Sequence, residues 1–567
     1  MTKKIEISSI LNNSDSLVDL FNIRVNRNPN KKVFFKKQNG QWFPQSFSQT
    51  DINIKKIRNF FCKKNLRKGD RVFLLSTNRI EWVEFDIAIM SLGAVTVPSF
   101  VTNNLSDNKF IINDCKPKFI ILENEKVFKK NKSILKNNNN KIILIESSEK
   151  FKNYESILKN FKTFDKKIKI SSKDISSIIY TSGTTGNPKG VILSHQSIMH
   201  NLLGALDIMD EFLIDNERFI SFLPLSHSYE RMAGLYFPIL IGAEIFFCTS
   251  MEKLLNEIKE TRPTILSAVP RLYEGIFKKL KTQHKNSNSI ISFFFKRVFI
   301  YASNKAKKLK LVDLLLAKIF IQLILKNKLR KSFGGKIKVF ISGGAALNPE
   351  IGIFFNKVGL PLLQGYGQTE ASPLISCNKK LLNNPKTVGT PVREVEVKIS
   401  KKREILVRGK NLMLGYWKKS DLTKKTIVDG WLHTGDLGYL DNKGRIVIDG
   451  RKKDLIVTSG GDNISAQRIE YILMSYNEIS QALIFGDNRP FLIALIELAQ
   501  GYSINDIKNI INEVNTELNS IERIRKYLIL DNELTYEKGF MTQTLKIKRK
   551  KVFDHYKKKI DKLYGIL

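Results

Sequence analysis

Strand-like and helix-like segments alternate along most of this chain, and that rhythm restricts the fold more than any single residue does. RVFLLS (71–76) reads as a buried strand, EWVEFDIAIMSL (81–92) as an amphipathic helix, and AVTVP (94–98) as a second strand. Strand, crossover helix and parallel strand make one sheet whose two faces must both be covered by helices. KIILIE (141–146) and ISSIIYT (175–181) repeat the buried-strand pattern. A β-rich stretch closes with RIVIDG (445–450), and a compact α+β segment follows it. The expected fold is therefore α/β. A large N-terminal domain (1–449) would hold βαβ-rich sheets and a β-rich subdomain, and a small mobile α+β domain (450–567) would complete the chain.

The formal net charge of +40 would suit nucleic acid. Lysine dominates it, however, and tracts such as KKNKSILKNNNNK (129–141) read as compositional drift. No nucleic-acid role is expected, although the field still draws anionic ligands and membranes. Cys62, Cys115, Cys248 and Cys377 are scattered without metal-ligand spacing, which fits a reduced, cytoplasmic setting. The start of the chain does not read as a signal peptide, and the longest apolar run (233–243) is too short to span a bilayer. Residues 275–338 carry seventeen Lys and Arg against one acid, Asp313, around LVDLLLAKIFIQLIL (311–325). That segment reads either as a core helix flanked by solvated charge or as a basic, apolar surface. The latter would contact anionic membrane at the inner face of the cell membrane.

Four clusters carry chemistry. YTSGTTGNPKG (180–190) follows a strand, and its small hydroxyl and glycine residues let backbone N–H groups face a polyphosphate. Lys189 adds a positive charge, and the Walker A spacing is absent. LQGYGQTE (363–370) offers two glycines that can lie flat against a ring, Tyr366 for stacking, Thr369 for a phosphate, and Glu370 as a hard ligand for Mg²⁺. GWLHTGDLG (430–438) and GRKKD (450–454) supply Asp436 and Arg451, suited to ribose hydroxyls and phosphate. LTYEKGFMTQTLKIKRK (534–550) sets Lys546 in a basic run.

In this order the four clusters resemble the adenylate-forming enzymes, from LRKGDRV (66–72) to Lys550. FLPLSHSYER (222–231), VPRLYE (269–274), GGKIKVFISGGAALNPE (334–350), FGDNRPFLIALI (485–496) and the TLKIKR ending are similar to the long-chain fatty acyl-CoA synthetase branch. The resemblance implies ATP-dependent conversion of a fatty acid to acyl-adenylate and then to a coenzyme A thioester. It implies Lys546 between carboxylate and α-phosphate, Mg²⁺ at Glu370 and Thr181, and the loop Thr181, Ser182, Gly183, Thr184, Thr185 and Lys189 on the β- and γ-phosphates. Gly344, Ala345, Ala346 and Gln364, Gly365, Tyr366 and Gly367 would frame adenine, with Thr369 nearby. Asp436 and Arg451 would hold the ribose, and His227 would stand at the carboxylate end of the acyl site. Lys453 would be the hinge that swings Ser459, Gly460 and Gly461 into a CoA tunnel. An acyl carrier protein as acceptor shares every motif, and a non-catalytic basic membrane adaptor is the alternative from another class.

Overall fold

The structure is a computed structural model, and it describes residues 3–135, 141–165, 168–181, 188–213, 216–285, 289–301, 310–460, 462–476, 478–535, 538–541 and 547–566. The expected βαβ unit lies at the centre of an eight-stranded sheet. Its strand order is Gly415–Tyr416, Lys189–Ser194, Ile175–Thr181, Val95–Ser99, Arg71–Leu75, Phe119–Leu122, Ile142–Leu144 and Lys152–Asn153. Arg71–Leu75 pairs in parallel with both neighbours.

The crossover helix Ile80–Met90 departs from the amphipathic expectation, because all eleven of its residues are buried. Its acids are buried because each has partners from distant segments. Asp86 accepts from Arg231 at 2.5 Å and from the Tyr236 hydroxyl at 2.5 Å. Glu84 accepts from Gln45, Asn53 and Tyr154. A buried polar group is tolerated only with such partners.

A second sheet has parallel strands Ile265–Ala268, Val339–Ser342 and Leu362–Gly367, extended by antiparallel Leu374–Cys377 and Thr390–Pro391. A third, antiparallel sheet joins Val395–Ile399, Glu404–Gly409, Trp431–Leu440 and Ile427–Val428, with Ile446–Arg451 paired to Trp431–Leu440. Beyond it, Ile479–Phe485, Leu492–Leu498 and Ile524–Ile529 form a sheet of their own. That sheet is packed by Ala466–Met474, Asn505–Glu517 and Arg549–Leu563, in apolar clusters drawn from residues 456–564. The α/β architecture with a small α+β portion is thus as expected.

The segment 311–325 is an α-helix, Leu311–Phe320, continued by a widened turn, Ile321–Leu325, and by the helix Lys326–Ser332. Neither a wholly buried nor a wholly free helix results. Ala317, Phe320, Ile321 and Leu325 are buried, while Leu311, Val312, Leu315, Ile319, Leu323 and Ile324 are 45–84% exposed. Asp313 is bound by Arg297 at 2.6 Å. Among the described residues no helix is long and apolar enough to cross a membrane.

Two buried carboxyls give a pH prediction. Burial pushes Glu230 up to about 8 and Glu84 up to about 7. Both are held protonated in the fold and ionise in the unfolded chain, so their effect is to lower stability as pH rises from the ordinary carboxylate range. Burial pushes His195 down to about 4, which acts oppositely, but only below its ordinary value of 6.5. Between pH 6.5 and 8 the glutamates therefore dominate this set. The protein should lose stability across that interval, by on the order of 1–2 kcal/mol through Glu230. Glu230→Gln should flatten the loss, measured as denaturation midpoints at the two pH values.

Candidate active site

The site is built where strand ends from all three large sheets meet one cavity of about 2170 Å³. Ile175–Thr181 and Lys189–Ser194 form a hairpin in which Thr181 and Lys189 are direct register partners. Both ends of the polyphosphate motif line the cavity. Ser182, Gly183, Thr184 and Thr185 lie outside the described residues. Burial, and next the charge of Lys453, lower the Lys189 pKa, and Glu370 opposes them. The Lys189 ammonium stands 5.3 Å from the Tyr416 ring centre.

Leu362–Gly367 ends at the cavity, and Glu370 follows on the short turn Thr369–Ala371. The Tyr416 hydroxyl donates to Glu370 Oε1 at 2.9 Å. Thr369 Oγ1 lies 3.2 Å from Ser228 Oγ. Gly367 is required sterically, since a Cβ there would lie 1.9 Å from the Pro373 carbonyl oxygen. Gly344 adopts φ +83°, a left-handed turn that opens the edge formed by Gly344, Ala345 and Ala346. Gln364 Oε1 is buried without a hydrogen-bond partner, although its residue lines the cavity. A buried acceptor in that state is costly unless a ligand donor meets it.

Asp436 and Arg451, fifteen residues apart, face each other across two paired strands. Asp436 Oδ1 meets Arg451 Nε at 2.9 Å, and the Tyr366 hydroxyl donates to Oδ2 at 2.7 Å. The Asp436 carboxylate holds the Arg451 pKa above its ordinary value. Burial and the same carboxylate raise that of Tyr366. Asp436 is buried, so the sheet fixes its orientation before any ligand arrives.

His227 caps the short helix Ser228–Glu230, its Nδ1 accepting the Tyr229 N–H at 3.2 Å. In the neutral ring Nε2 therefore carries the proton. Behind it the wall turns apolar, with Ala205, Ile208, Met209, Phe219, Met232 and Phe237.

The C-terminal segment closes the cavity. Ile547, Lys548 and Arg549 line it, and Met541 bridges to Ile547. Lys546 itself lies outside the described residues. Tyr471 donates to the Ala346 carbonyl at 3.2 Å, and Arg271 to Gln481 at 2.6 Å. Lys453 lines the cavity in the turn after Arg451. Ser459 and Gly460 do not reach it. They form an exposed tip between Leu455–Val457 and Asn463–Ser465. Gly461 lies outside the described residues.

Sequence reasoning passed over three groups. Tyr229 lies inside FLPLSHSYER, and its ring packs under Gly343, where a Cβ would come within 2.9 Å. Ser228 lies in the same motif. Tyr416 stood in no motif, and only its contact with Glu370 reveals it.

With this geometry in view, the AMP-binding enzyme family matches residues 21–417 and its C-terminal domain matches residues 453–566. The chain belongs to the AMP-binding enzymes. The long-chain-fatty-acid–CoA ligase FadD15 of Mycobacterium tuberculosis is 29% identical over 95% of each chain. Long chain acyl-CoA synthetase 4 of Arabidopsis thaliana is 26% identical over 97% of this AMP-binding enzyme and 92% of that protein. Among solved structures, the adenylation domain of a carboxylate reductase from Mycobacterium chelonae superposes with TM-score 0.80. It is 18% identical and covers 99% of this chain and 93% of that one. ATP-bound MatB from Rhodopseudomonas palustris gives 0.76 at 21% identity, covering 96% and 99%. At such identity these structures establish the fold this AMP-binding enzyme shares.

Proposed function

We propose that this chain activates a long-chain fatty acid with ATP and transfers the acyl group to coenzyme A, releasing AMP and pyrophosphate. The observation that carries this reading is one cavity joining a polyphosphate hairpin, the fixed Tyr366–Asp436–Arg451 group and an apolar wall. FadD15 and the Arabidopsis synthetase are named for the same activity.

In the first step a carboxylate oxygen bonds to the α-phosphorus as the bond to pyrophosphate breaks. Two anions must meet, so fixed positive charge is needed between them. Lys546, with Lys189 beside the phosphates, supplies it. Asp436 accepts from ribose hydroxyls while Arg451 holds its orientation, and Gln364 Oε1 accepts from the adenine edge. His227 donates from Nε2 at the carboxylate end. In the second step the thiol sulfur bonds to the acyl carbon and AMP leaves.

Mg²⁺ suits the residues present. Among the described residues no group of three or more His, Cys, Asp or Glu could hold a metal. A metal carried by phosphates asks for only one or two protein oxygens, and Glu370 and Thr181 offer them. When bound, the ion offsets triphosphate charge. Tyr416 occupies one Glu370 oxygen and orients the other. Glu370→Gln should raise the Mg²⁺ concentration needed for half-maximal pyrophosphate release. An unchanged requirement would place the metal elsewhere.

Release of pyrophosphate dependent on fatty acid, followed by acyl-CoA formation, tests the whole reading. No pyrophosphate would favour a non-catalytic adaptor. Thioester formed only on holo-acyl carrier protein would replace coenzyme A as acceptor. The exposed apolar stripe of 311–324, set among basic residues, also supports peripheral contact with anionic membrane, the phase into which the substrate partitions.

A further inference from the structure

We propose that a basic recess at the end of the exposed apolar helix binds the phosphate of an anionic phospholipid, and so fixes how the protein sits on a bilayer. This rests on the membrane reading above and adds to it a defined headgroup site.

The recess, about 470 Å³, lies apart from the active-site cavity and shares no lining residue with it. Lys259, Arg262, Arg330 and Lys331 line it, with Asn327, and no carboxylate does. None of the four cations has an ion-pair partner among the described residues. The neighbouring Glu260 is already engaged by Lys37 and Trp42. Arg330 Nε is buried and lacks a hydrogen-bond acceptor.

The simpler account is that these cations complement two helix C-termini. The helices Leu254–Thr261 and Lys326–Ser332 do end here. Several of their terminal carbonyls are already met by backbone N–H groups, however. Arg262 N–H bonds to Ile258, Phe333 and Gly335 N–H to Arg330, and Gly334 N–H to Lys331. Among the described residues only Arg262 of the four donates its side chain to a carbonyl, so Lys259, Arg330 and Lys331 keep their charges for a ligand.

Two glycines shape the floor. At Gly334, φ +78°, a Cβ would come within 2.7 Å of Arg262 Cα, so only glycine allows the chain this close. Arg262 Nε in turn donates to the Gly334 carbonyl at 2.9 Å, which fixes the guanidinium base. A fixed fork beside a buried, unpaired Arg donor matches phosphate oxygens.

Position selects a lipid phosphate over a free one. The exposed Leu315, Ile319 and Leu323 precede Asn327, Arg330 and Lys331 of the recess on one unbroken helical run from Leu311 to Ser332. The exposed apolar stripe and the cationic recess thus lie in sequence along one helical run. Acyl chains would meet the first and the headgroup the second.

The test is co-sedimentation of the full chain with phosphatidylcholine vesicles, with and without phosphatidylglycerol. Lys259→Gln with Arg330→Gln should cost roughly thirtyfold in affinity for the anionic vesicles, as two charges at a membrane surface do. Lys557→Gln with Lys558→Gln removes the same charge from the exposed face of Arg549–Leu563 and should cost far less. Lys331→Gln alone, an exposed change, should move in the direction of the recess pair. Unchanged pyrophosphate release on detergent-dispersed fatty acid shows that each variant is folded. Equal losses in the two pairs would overturn the recess and leave membrane contact standing. Wild-type binding indifferent to phosphatidylglycerol would overturn both. Phosphate bound without vesicles, and lost in the recess pair, would assign the recess to a soluble anion and overturn the lipid site.

Discussion

Lys546→Ala is expected to lower the rate of adenylate formation by about 10²–10³-fold. Thioester formation from supplied acyl-adenylate should survive. The asymmetry follows from charge. The first step brings a carboxylate to an α-phosphate, whereas the second expels AMP from an activated acyl group and needs no such bridge. Of the neighbouring described residues, Met541 bridges to Ile547, and Ile547 and Lys548 line the cavity. Burial raises the pKa of Asp107, on the large portion of the chain, and the charge of Lys548 opposes it. Separate assays of pyrophosphate release and of acyl-adenylate consumption give the two rates. Equal loss in both would remove Lys546 from the first step.

Lys453→Pro is expected to do the reverse, sparing adenylation and reducing thioester formation by roughly a hundredfold or more. The cavity is closed by the segment around Ile547, while Ser459 and Gly460 stand on an exposed tip away from it. We propose that the C-terminal portion turns at Lys453, in the turn after Arg451, so that those two approach the acyl carbonyl. Proline fixes φ near −65° and stops it. Single-turnover measurements of each half-reaction decide. If both rates stay normal, the rotation occurs elsewhere.

The sequence alone determined the α/β class and the identity of the family. Buried strands of the βαβ unit are written as short apolar runs, and local runs are what periodicity can read. The polyphosphate motif was legible as small hydroxyl and glycine residues after a strand, whereas the pairing of Thr181 with Lys189 appears only in the structure. Asp436 and Arg451 stood in separate motifs, and only strand pairing shows that they touch. Tyr416 is more extreme. It reaches Glu370 from forty-six residues away, and nothing local marks it. The helix Ile80–Met90 was misread because Glu84 and Asp86 look solvated until Asn53, Tyr154, Arg231 and Tyr236 arrive to satisfy them. The stripe from Leu311 to Ile324 was undecided in sequence, because an apolar helix looks the same whether a core or a bilayer covers it. Which residues are covered depends on contacts made by distant segments, and only the tertiary structure left six of them facing outward.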